Sequence, residues 1–181
     1  MARHPLDLYE TPPHYVDALL DVIEILPYHR IYEPCVGKGA IIERLDQRCK
    51  FVTNDIDPRR KASTHLDARS RKAWGTLGYN WCITNPPFTY EREILSNALQ
   101  FCKHVAFLAR LSFLEPTIDR AKFWARHASR LTDVVVLPRY SFRRNSKGQR
   151  GNDSQTCIWL VFDDKSSQYT RMHFTNQRPS P

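Results

Sequence analysis

Hydrophobic residues recur with a helical period near the start of this chain and in short continuous runs further along it. After Thr11-Pro12-Pro13, apolar side chains are spaced as on one face of a helix, at Val16, Leu19, Leu20, Ile23 and Leu26. This spacing predicts an amphipathic helix. We expect Thr11 to be its N-cap, the two prolines to occupy its first turn, and Pro27 to end it.

Seven short apolar runs have the length and composition of buried strands. They are residues 30–32, 51–55, 64–66, 81–84, 104–110, 133–138 and 156–162. Helical patterns are expected within residues 33–45, 68–74, 91–102 and 116–129. Strands that alternate with helices form right-handed crossovers and hence a mostly parallel sheet. No helical pattern separates the last two runs, which favours an antiparallel pair there.

These patterns together predict an α/β fold with one open, mostly parallel seven-stranded sheet and one antiparallel strand near its end. The chain has 181 residues, a length typical of one domain. We place that domain at residues 1–164. Residues 165–181 are rich in Ser, Gln, Arg and Pro, and we expect them to form a flexible tail.

Composition narrows the choice of partner and compartment. The formal net charge is +8, which favours a polyanion such as nucleic acid, although a solvated basic surface would give the same total. The five cysteines include no CxxC pair, and the seven histidines show no ligand spacing. We therefore expect reduced thiols in the cytoplasm, with no disulfide framework and no metal site. No run is apolar and long enough to cross a membrane, and no secretory signal is recognisable.

A loop with two glycines, EPCVGKGAI at residues 33–41, follows the first predicted strand. Gly37 and Gly39 lack a Cβ, so the backbone there can approach a ligand closely, although an ordinary strand-to-helix turn also uses glycine. Asp55 ends the next strand, where an acid can accept both hydroxyls of a ribose, and Asp57 could share that role. The alternative for Asp55 is a turn-forming residue.

Asp67 ends the following short run, and the sequence leaves two interpretations open. Its carboxylate could accept a hydrogen bond from the exocyclic amine of a bound adenine ring. It could equally be the N-cap of the helix predicted over residues 68–74.

The sequence WCITNPPF at residues 81–88 ends a predicted strand with a rigid corner, because each proline removes a ladder donor and fixes φ. Asn85 supplies a side-chain carbonyl, and Pro86 a backbone carbonyl whose direction Pro87 helps to fix. Two acceptors in line with the N–H bonds of a planar amine favour pyramidalisation and expose the nitrogen lone pair. Phe88 offers a face on which a base can stack. A rigid turn that merely closes a buried strand is the simpler alternative.

Three segments occur in the order found in S-adenosylmethionine-dependent N(6)-adenine methyltransferases, and the chain resembles that family over roughly residues 8–162. The segments are YETPP (9–13), EPCVGKGA (33–40) and NPPF (85–88). The resemblance implies a Rossmann-like class I methyltransferase fold and S-adenosylmethionine as cofactor. It implies cofactor contacts at Tyr9, Thr11, Pro12, Glu33, Pro34, Gly37 and Gly39. It also implies that the target amine and its base are bound by Asn85, Pro86, Pro87 and Phe88.

A basic stretch at residues 139–155 precedes the last predicted strand. Its residues of interest are Arg139, Arg143, Arg144, Lys147 and Arg150, interleaved with Tyr140 and Phe142. We expect the cations to bind phosphates, which gives salt-dependent affinity without sequence reading. A solvated basic loop is the alternative. The segment RYSF at its start resembles a family loop that would bring Tyr140 or Phe142 to the other face of the target base.

We expect the target to be adenine in DNA, with several alternatives. RNA stays open, since no motif that would read a 2′-hydroxyl is recognisable. A protein glutamine amide is a similar planar amine, but such a substrate would not require the basic charge. A nucleic-acid-binding module without activity is an alternative of another class. A dinucleotide-dependent oxidoreductase is disfavoured because the third glycine of GxGxxG is missing.

Sequence specificity is expected to be short or relaxed. Neither the segment after Phe162 nor the stretch between the glycine loop and NPPF has room for a separate recognition domain. Recognition by a partner protein is the alternative. Compact enzymes of this kind resemble those carried by bacteriophages.

Overall fold

Seven strands form one sheet in the computed structural model, which describes residues 10–75, 78–139 and 156–175. The strands are β1 (Arg30–Glu33), β2 (Lys50–Thr53), β3 (Tyr79–Thr84), β4 (Cys102–Arg110), β5 (Leu131–Val136), β6 (Cys157–Phe162) and β7 (Arg171–Phe174). Their order across the sheet is β2-β1-β3-β4-β6-β5-β7.

One strand runs against the other six. The strands β1, β2, β3 and β4 are mutually parallel. The strand β6 lies antiparallel between β4 and β5, and β7 is parallel to β5. The predicted mostly parallel seven-stranded sheet with one antiparallel strand is therefore confirmed.

Helices cover both faces of the sheet because its strands carry apolar side chains on both sides. The helices are α1 (Pro13–Leu20), α2 (Glu91–Phe101) and α3 (Ile118–His127). Along β4, Ala106 and Leu108 pack in the cluster that includes α1, whereas Val105 and Phe107 pack in the cluster that includes α2. This alternation is the two-residue period of a strand, and it explains why the central runs read as continuously apolar.

Two long-range hydrogen bonds fasten α1 to the sheet. The hydroxyl of Tyr15 donates to the carbonyl of Pro138 at 2.7 Å, and the indole Nε1 of Trp159 donates to the carbonyl of Tyr15 at 2.7 Å. The start of α1 is thus held beside the end of β5, which places residues 10–12 at the edge where the parallel strands end.

Three expectations about helices are wrong. The helix α1 ends at Leu20 and its N-cap is Pro12, because the side chain of Thr11 bonds to Asn85 instead of capping the helix. Beyond the helix, Val22, Ile23 and Ile25 still pack against the sheet, so their spacing reflects burial and not helical geometry. Only single turns of 3₁₀ helix form after the glycine loop and within residues 68–74, at Ile42–Arg44 and Arg71–Trp74.

Two expectations about strands also need correction. The strand predicted at residues 64–66 is reduced to an isolated bridge between Asn54 and Thr64. The predicted flexible tail contains the strand β7, so the expectation of a loose segment is wrong for Arg171–Phe174. The buried carboxylate of Asp133 in β5 binds Arg171 Nε and His173 Nε2, each at 2.8 Å, and so fastens β7 to the sheet.

All five cysteines are free thiols. In the described part of the chain, no helix combines the length and the apolar character that crossing a membrane requires.

Candidate active site

The loop after β1 forms an open cradle. Gly37 and Gly39 have φ angles of +55° and +90°, which residues with a side chain rarely adopt. A Cβ built on either glycine would meet no atom within 4 Å, so the space above the loop is open. Internal hydrogen bonds hold the cradle, since Gly39 donates to the carbonyl of Val36 at 2.8 Å and Val36 donates to that of Asn54 at 3.0 Å.

Asp55 closes this loop from the neighbouring strand. Its Oδ2 accepts from the backbone N–H of Gly37 at 2.8 Å, and its Oδ1 accepts from the backbone N–H of Asp57 at 2.9 Å. The second bond is the turn-forming contact that the sequence offers as the alternative for Asp55. Each carboxylate oxygen has a further lone pair, so the turn contact and a ligand contact are compatible.

Glu33, at the end of β1, is a buried acid with an unsatisfied atom. The residue is 2 % exposed, and its Oε2 has no hydrogen-bond partner. Burial raises the pKa of this carboxyl group well above its ordinary value, and the charge of Asp55 adds to the effect. A buried carboxyl group of this kind is satisfied when a cationic ligand group reaches it.

Asn54 is a buried residue of the site that the sequence did not point to. Its Nδ2 donates to the carbonyls of Pro34 and Leu66, each at 2.9 Å, and its Oδ1 accepts from Thr64 Oγ1 at 2.8 Å and from Leu66 N at 2.9 Å. The amide thereby joins the glycine loop to the segment that leads to Asp67. An amide next to the acid that ends a strand was the only available signal.

The other two candidate acids bind arginines of their own turns. The carboxylate of Asp57 accepts a hydrogen bond from Arg59 Nε at 2.8 Å. This hydrogen bond is the main reason that the pKa of Asp57 falls to about 2. The carboxylate of Asp67 accepts a hydrogen bond from Arg69 Nη2 at 2.6 Å, and this bonding likewise lowers the pKa of Asp67. The N-cap of the turn at Arg71–Trp74 is Ser70, so the interpretation of Asp67 as an N-cap is wrong.

Asn85 follows β3 directly and is oriented by a residue far away in sequence. Its Nδ2 donates to Thr11 Oγ1 at 3.1 Å, and Thr11 is buried. Because the amide nitrogen faces Thr11, the carbonyl oxygen Oδ1 lies on the other side of the same planar group. Pro87 has φ −57° and ψ 120°, and its carbonyl accepts from Tyr90 N at 2.9 Å, which completes the corner.

Phe88 lies under a cation. The Cζ atom of Arg110, the last residue of β4, is 4.6 Å from the centroid of the Phe88 ring, and Phe88 is itself buried. Nothing in the sequence connected these two residues, because Phe88 lies in the corner after β3 whereas Arg110 ends β4.

Residues at the ends of four strands converge because the parallel strands end at one edge of the sheet. Glu33 ends β1, Asp55 follows β2, Asn85 follows β3, and Arg110 ends β4. Ligands of open α/β sheets bind at such an edge. A salt bridge of 3.3 Å between Lys38 Nζ and Glu10 Oε2 also joins the glycine loop to the segment that contains Thr11.

Some of the predicted residues lie outside the described ranges, namely Tyr9, Tyr140, Phe142, Arg143, Arg144, Lys147 and Arg150. Arg139 is described and exposed. The residues flanking 140–155 are anchored near the site, because Pro138 accepts from Tyr15, and the carbonyl of Thr156 accepts from Leu111 N at 2.9 Å.

Three further features bear on chemistry. Burial raises the pKa of the Cys35 thiol, which makes it a poor nucleophile. Two apolar side chains next to the acids, Ile56 and Leu66, are 51 % and 40 % exposed and offer apolar surface to a flat ring. Among residues 10–75, 78–139 and 156–175, no group of three or more His, Cys, Asp or Glu is arranged to hold a metal ion.

No protein-family model and no curated protein matches the sequence. Solved structures resemble the fold. A protein described as the modification subunit of a type I restriction enzyme from Vibrio vulnificus YJ016 superposes with a TM-score of 0.65 at 13 % identity, over 95 % of this chain and 48 % of that one. A dimethyladenosine transferase from Plasmodium falciparum gives a TM-score of 0.61 at 13 % identity, over 87 % of this chain and 63 % of that one.

A third structure names the fold class. It is a protein from Listeria monocytogenes described as a class I S-adenosylmethionine-dependent methyltransferase, with a TM-score of 0.58 and 14 % identity over 88 % of this chain and 62 % of that one. The chain thus spans between about half and two-thirds of the length of these three structures. Likeness at this level of identity shows the fold. This chain has the fold of the class I S-adenosylmethionine-dependent methyltransferases.

Proposed function

We propose that this protein transfers a methyl group from S-adenosylmethionine to the exocyclic amine of adenine in DNA. The observation that carries the proposal is the orientation of Asn85 by Thr11, at the end of β3 and beside the glycine cradle. A side-chain carbonyl held in this way, followed by a rigid proline corner, is suited to accept a hydrogen bond from a planar amine. The solved structures described as a methyltransferase and as a dimethyladenosine transferase support the same class of reaction.

The residues at the ends of β1 and β2 fit the proposed cofactor. Glu33 Oε2 is a buried acceptor in need of a cation, and the ammonium group of the cofactor's amino acid part is one. The open space above Gly37 and Gly39 admits that part of the ligand. Asp55 offers its remaining lone pairs to ribose hydroxyls, and Ile56 offers apolar surface to the adenine ring. Asp67 stays a proposed acceptor for the ring amine, and Asp57 a second acceptor for the ribose.

Asn85 and Pro86 would hold the target amine through their carbonyl oxygens, and Phe88 would contact the target base. When bound, the cofactor supplies an electrophilic methyl group, so that an N–C bond forms as the S–C bond breaks and the amine then releases a proton. The chain contributes position and charge stabilisation, because Asn85 Oδ1 faces the nitrogen on which positive charge develops. No nucleophilic side chain is required.

The choice of DNA rests on charge and on one neighbour. The net charge of +8 favours a polyanionic substrate, and the highest TM-score given above belongs to a restriction-enzyme subunit. RNA has the same phosphate charge, so the experiment must compare both nucleic acids. If the target adenine lies in a duplex, it must leave the base stack to reach Asn85.

Transfer of a labelled methyl group tests the proposal. The purified protein is offered mixed DNA, an RNA pool and a protein lysate, and the products are digested and identified. We expect label in N(6)-methyladenine from DNA. Label in RNA or in protein glutamine would support methyl transfer from S-adenosylmethionine but would show that the substrate is not adenine in DNA. Cofactor binding without label in any pool would contradict the proposal and favour an inactive binding module.

The variant Asn85→Ala sharpens the same assay. Removing the acceptor should lower turnover by about 100-fold or more, as for other groups that stabilise developing charge, while cofactor affinity stays near that of the wild type. Full activity of Asn85→Ala would remove the central claim.

A further inference from the structure

We propose that Arg110 binds a backbone phosphate next to the target nucleotide. The inference rests on the proposed function and adds a phosphate contact outside the basic stretch at residues 139–155. Four observations support it. They are the position of Arg110 at the end of β4, the contact of its guanidinium with Phe88, the absence of an acidic partner among the described residues, and its place on the side of the site away from the glycine cradle.

The strand β6 fixes the backbone position of Arg110 at the end of β4. Arg110 ends β4 and pairs with Cys157 of β6, while β3 lies on the other side of β4. The next residue, Leu111, donates from its backbone nitrogen to the carbonyl of Thr156 at 2.9 Å. Arg110 therefore starts from rigid backbone at the edge where Asn85 follows β3.

The guanidinium of Arg110 lies over an aromatic ring. Its Cζ is 4.6 Å from the centroid of Phe88, a residue that is 8 % exposed. An aromatic face attracts a guanidinium, but it offers no oxygen to the N–H donors. The contact thus holds the cation in place and leaves its hydrogen-bonding capacity unused.

Arg110 differs from neighbouring arginines in having no acidic partner. Its Nε is buried without a hydrogen-bond partner, and in the described part of the chain the guanidinium forms no ion pair. Other arginines do have an acidic partner within 4 Å, for example Arg59 with Asp57, Arg69 with Asp67 and Arg120 with Glu91. A charged group without an acceptor is costly when it is partly buried. Arg110 is half-buried, so a ligand can reach the accessible part of its side chain and supply an acceptor there.

The topology distinguishes the two oxyanions that the reaction would bring to the site. Glu33 ends β1 and the glycine cradle follows it, on one side of β3, whereas Arg110 ends β4 on the other side. The cofactor carboxylate belongs to the first side. A phosphate of the nucleotide whose base contacts Phe88 belongs to the second. The fork of a guanidinium matches the geometry of a phosphate and can bind it through two hydrogen bonds.

Oligonucleotides with one neutral linkage test the contact. Single-stranded DNA with a single adenine is prepared with a methylphosphonate at one linkage at a time, and kcat/KM is measured for wild type, R110Q and R126Q. Arg126 is an exposed residue of α3 and serves as the control for loss of a charge. Neutralising one linkage beside the adenine should lower the wild-type kcat/KM about 10-fold or more.

On unmodified DNA, the kcat/KM of R110Q should be lower than that of the wild type by a similar factor. Neutralising the same linkage should then cause no further decrease in the kcat/KM of R110Q. R126Q should keep the wild-type pattern. Equal losses in R110Q and wild type at every linkage would overturn the proposal, as would an unchanged kcat/KM of R110Q on unmodified DNA. A weakened affinity of R110Q for S-adenosylmethionine, with the linkage pattern intact, would assign the arginine to the cofactor carboxylate and also overturn it.

Two measures keep the test independent of folding and of turnover. R110K keeps the charge without the fork, so it should retain sensitivity to the same linkage with weaker binding, and it replaces R110Q if that variant does not fold. Equilibrium binding of the same oligonucleotides, followed by fluorescence anisotropy, should show the same linkage pattern without methyl transfer. Absence of methylation by the wild type would then count against the proposed function alone, and absence of the linkage pattern in binding would count against Arg110.

Discussion

The carboxamide of Asn85 is held by the hydroxyl of Thr11, 74 residues earlier in the chain, through a hydrogen bond of 3.1 Å. The bond joins the segment before α1 to the corner after β3. It sets which of the two polar atoms of the amide faces Thr11, and therefore which faces the opposite side. Under the proposed function, Thr11 acts as a positioning residue for the amine acceptor.

Thr11→Val keeps the shape of the side chain and removes this hydrogen bond. We expect kcat to fall about tenfold, which corresponds to about 1.4 kcal/mol, near the usual value of one hydrogen bond. Thr11→Ser restores the hydroxyl and should recover most of the lost rate. Steady-state kinetics on the substrate that the labelling experiment identifies would measure both. Equal kcat for Thr11→Val and wild type would show that Asn85 is oriented by other contacts.

Glu33→Gln should stabilise the protein and weaken cofactor binding. The pKa of Glu33 in the folded protein is raised, first by burial and then by Asp55, so ionising this group opposes folding. Removing the charge should raise Tm by about 2–4 °C at neutral pH, the shift expected for about 1 kcal/mol in a chain of this size. Affinity for S-adenosylmethionine should fall about 10-fold or more, because a charged hydrogen bond is lost. Scanning calorimetry and titration calorimetry measure the two effects.

The same raised pKa predicts a pH dependence whose sign is fixed. The native state retains the Glu33 proton at pH values where the unfolded chain has lost it. Stability of the ligand-free protein should therefore decrease as the pH rises from the ordinary glutamate range to the raised pKa. Cofactor affinity should increase over the same window, since only the ionised carboxylate pairs with an ammonium group. Glu33→Gln should show neither trend, and a wild-type profile matching it would contradict this role.

Asn54→Leu should destabilise the fold and the cofactor side of the site together. The substitution removes four hydrogen bonds of a buried amide and leaves Pro34, Thr64 and Leu66 with unpaired groups. We expect a loss of about 2–4 kcal/mol in the free energy of unfolding. Asn80→Ala is the matched control, because Asn80 accepts a single exposed bond from Arg30 N, worth about 1 kcal/mol or less. Similar losses in both variants would contradict the role given to Asn54.

Asp133→Asn should loosen β7. Burial alone would raise the pKa of Asp133, but hydrogen bonds from Arg171 and His173 outweigh burial and lower it. The pairing therefore stabilises the fold at neutral pH, and this contribution is lost as the pH falls through the lowered pKa. We expect the variant to lose about 1–2 kcal/mol at pH 7 and to resemble the wild type in acid. Faster hydrogen exchange at residues 171–174 would report the detached strand.

Asp119→Asn provides the control for that experiment, since the carboxylate of Asp119 is mostly exposed and faces Arg92 at 3.4 Å. Exposed pairs of this kind contribute little, so the control should stay within about 0.5 kcal/mol of the wild type. A loss at Asp133 no larger than at Asp119 would mean that backbone pairing alone holds β7.

The central strands could be predicted because they are buried on both faces and therefore read as apolar runs, as 104–110 and 156–162 show. The strand β7 carries no such pattern, since Met172 and Phe174 are exposed and its order depends on Asp133, far away in sequence. The prediction of a strand at residues 64–66 was wrong for a related reason. The side chain of Asn54 takes the hydrogen bonds of Leu66 that a longer ladder would have used.

The site shows the same division between local and distant information. Local motifs pointed to Glu33, the two glycines, Asp55 and Asn85, because their chemistry depends on residue type at the end of a strand. The partners of these residues were not predictable. Thr11 reaches Asn85, and Arg110 reaches Phe88, only because the order of strands brings separate segments of the chain together.

The direction of β7 decides at which edge of the sheet Thr175 lies. Since β7 is parallel to β5, and β5 to β4, β7 ends at the edge of the sheet that carries Asn85. The strand β7 lies three strand spacings, or about 14 Å, from β4. A peptide tag or reporter protein fused after residue 175 would therefore begin on the substrate side of the molecule. Immobilisation through that end would present the opposite edge to solvent, and assays of nucleic-acid binding are better served by attachment elsewhere.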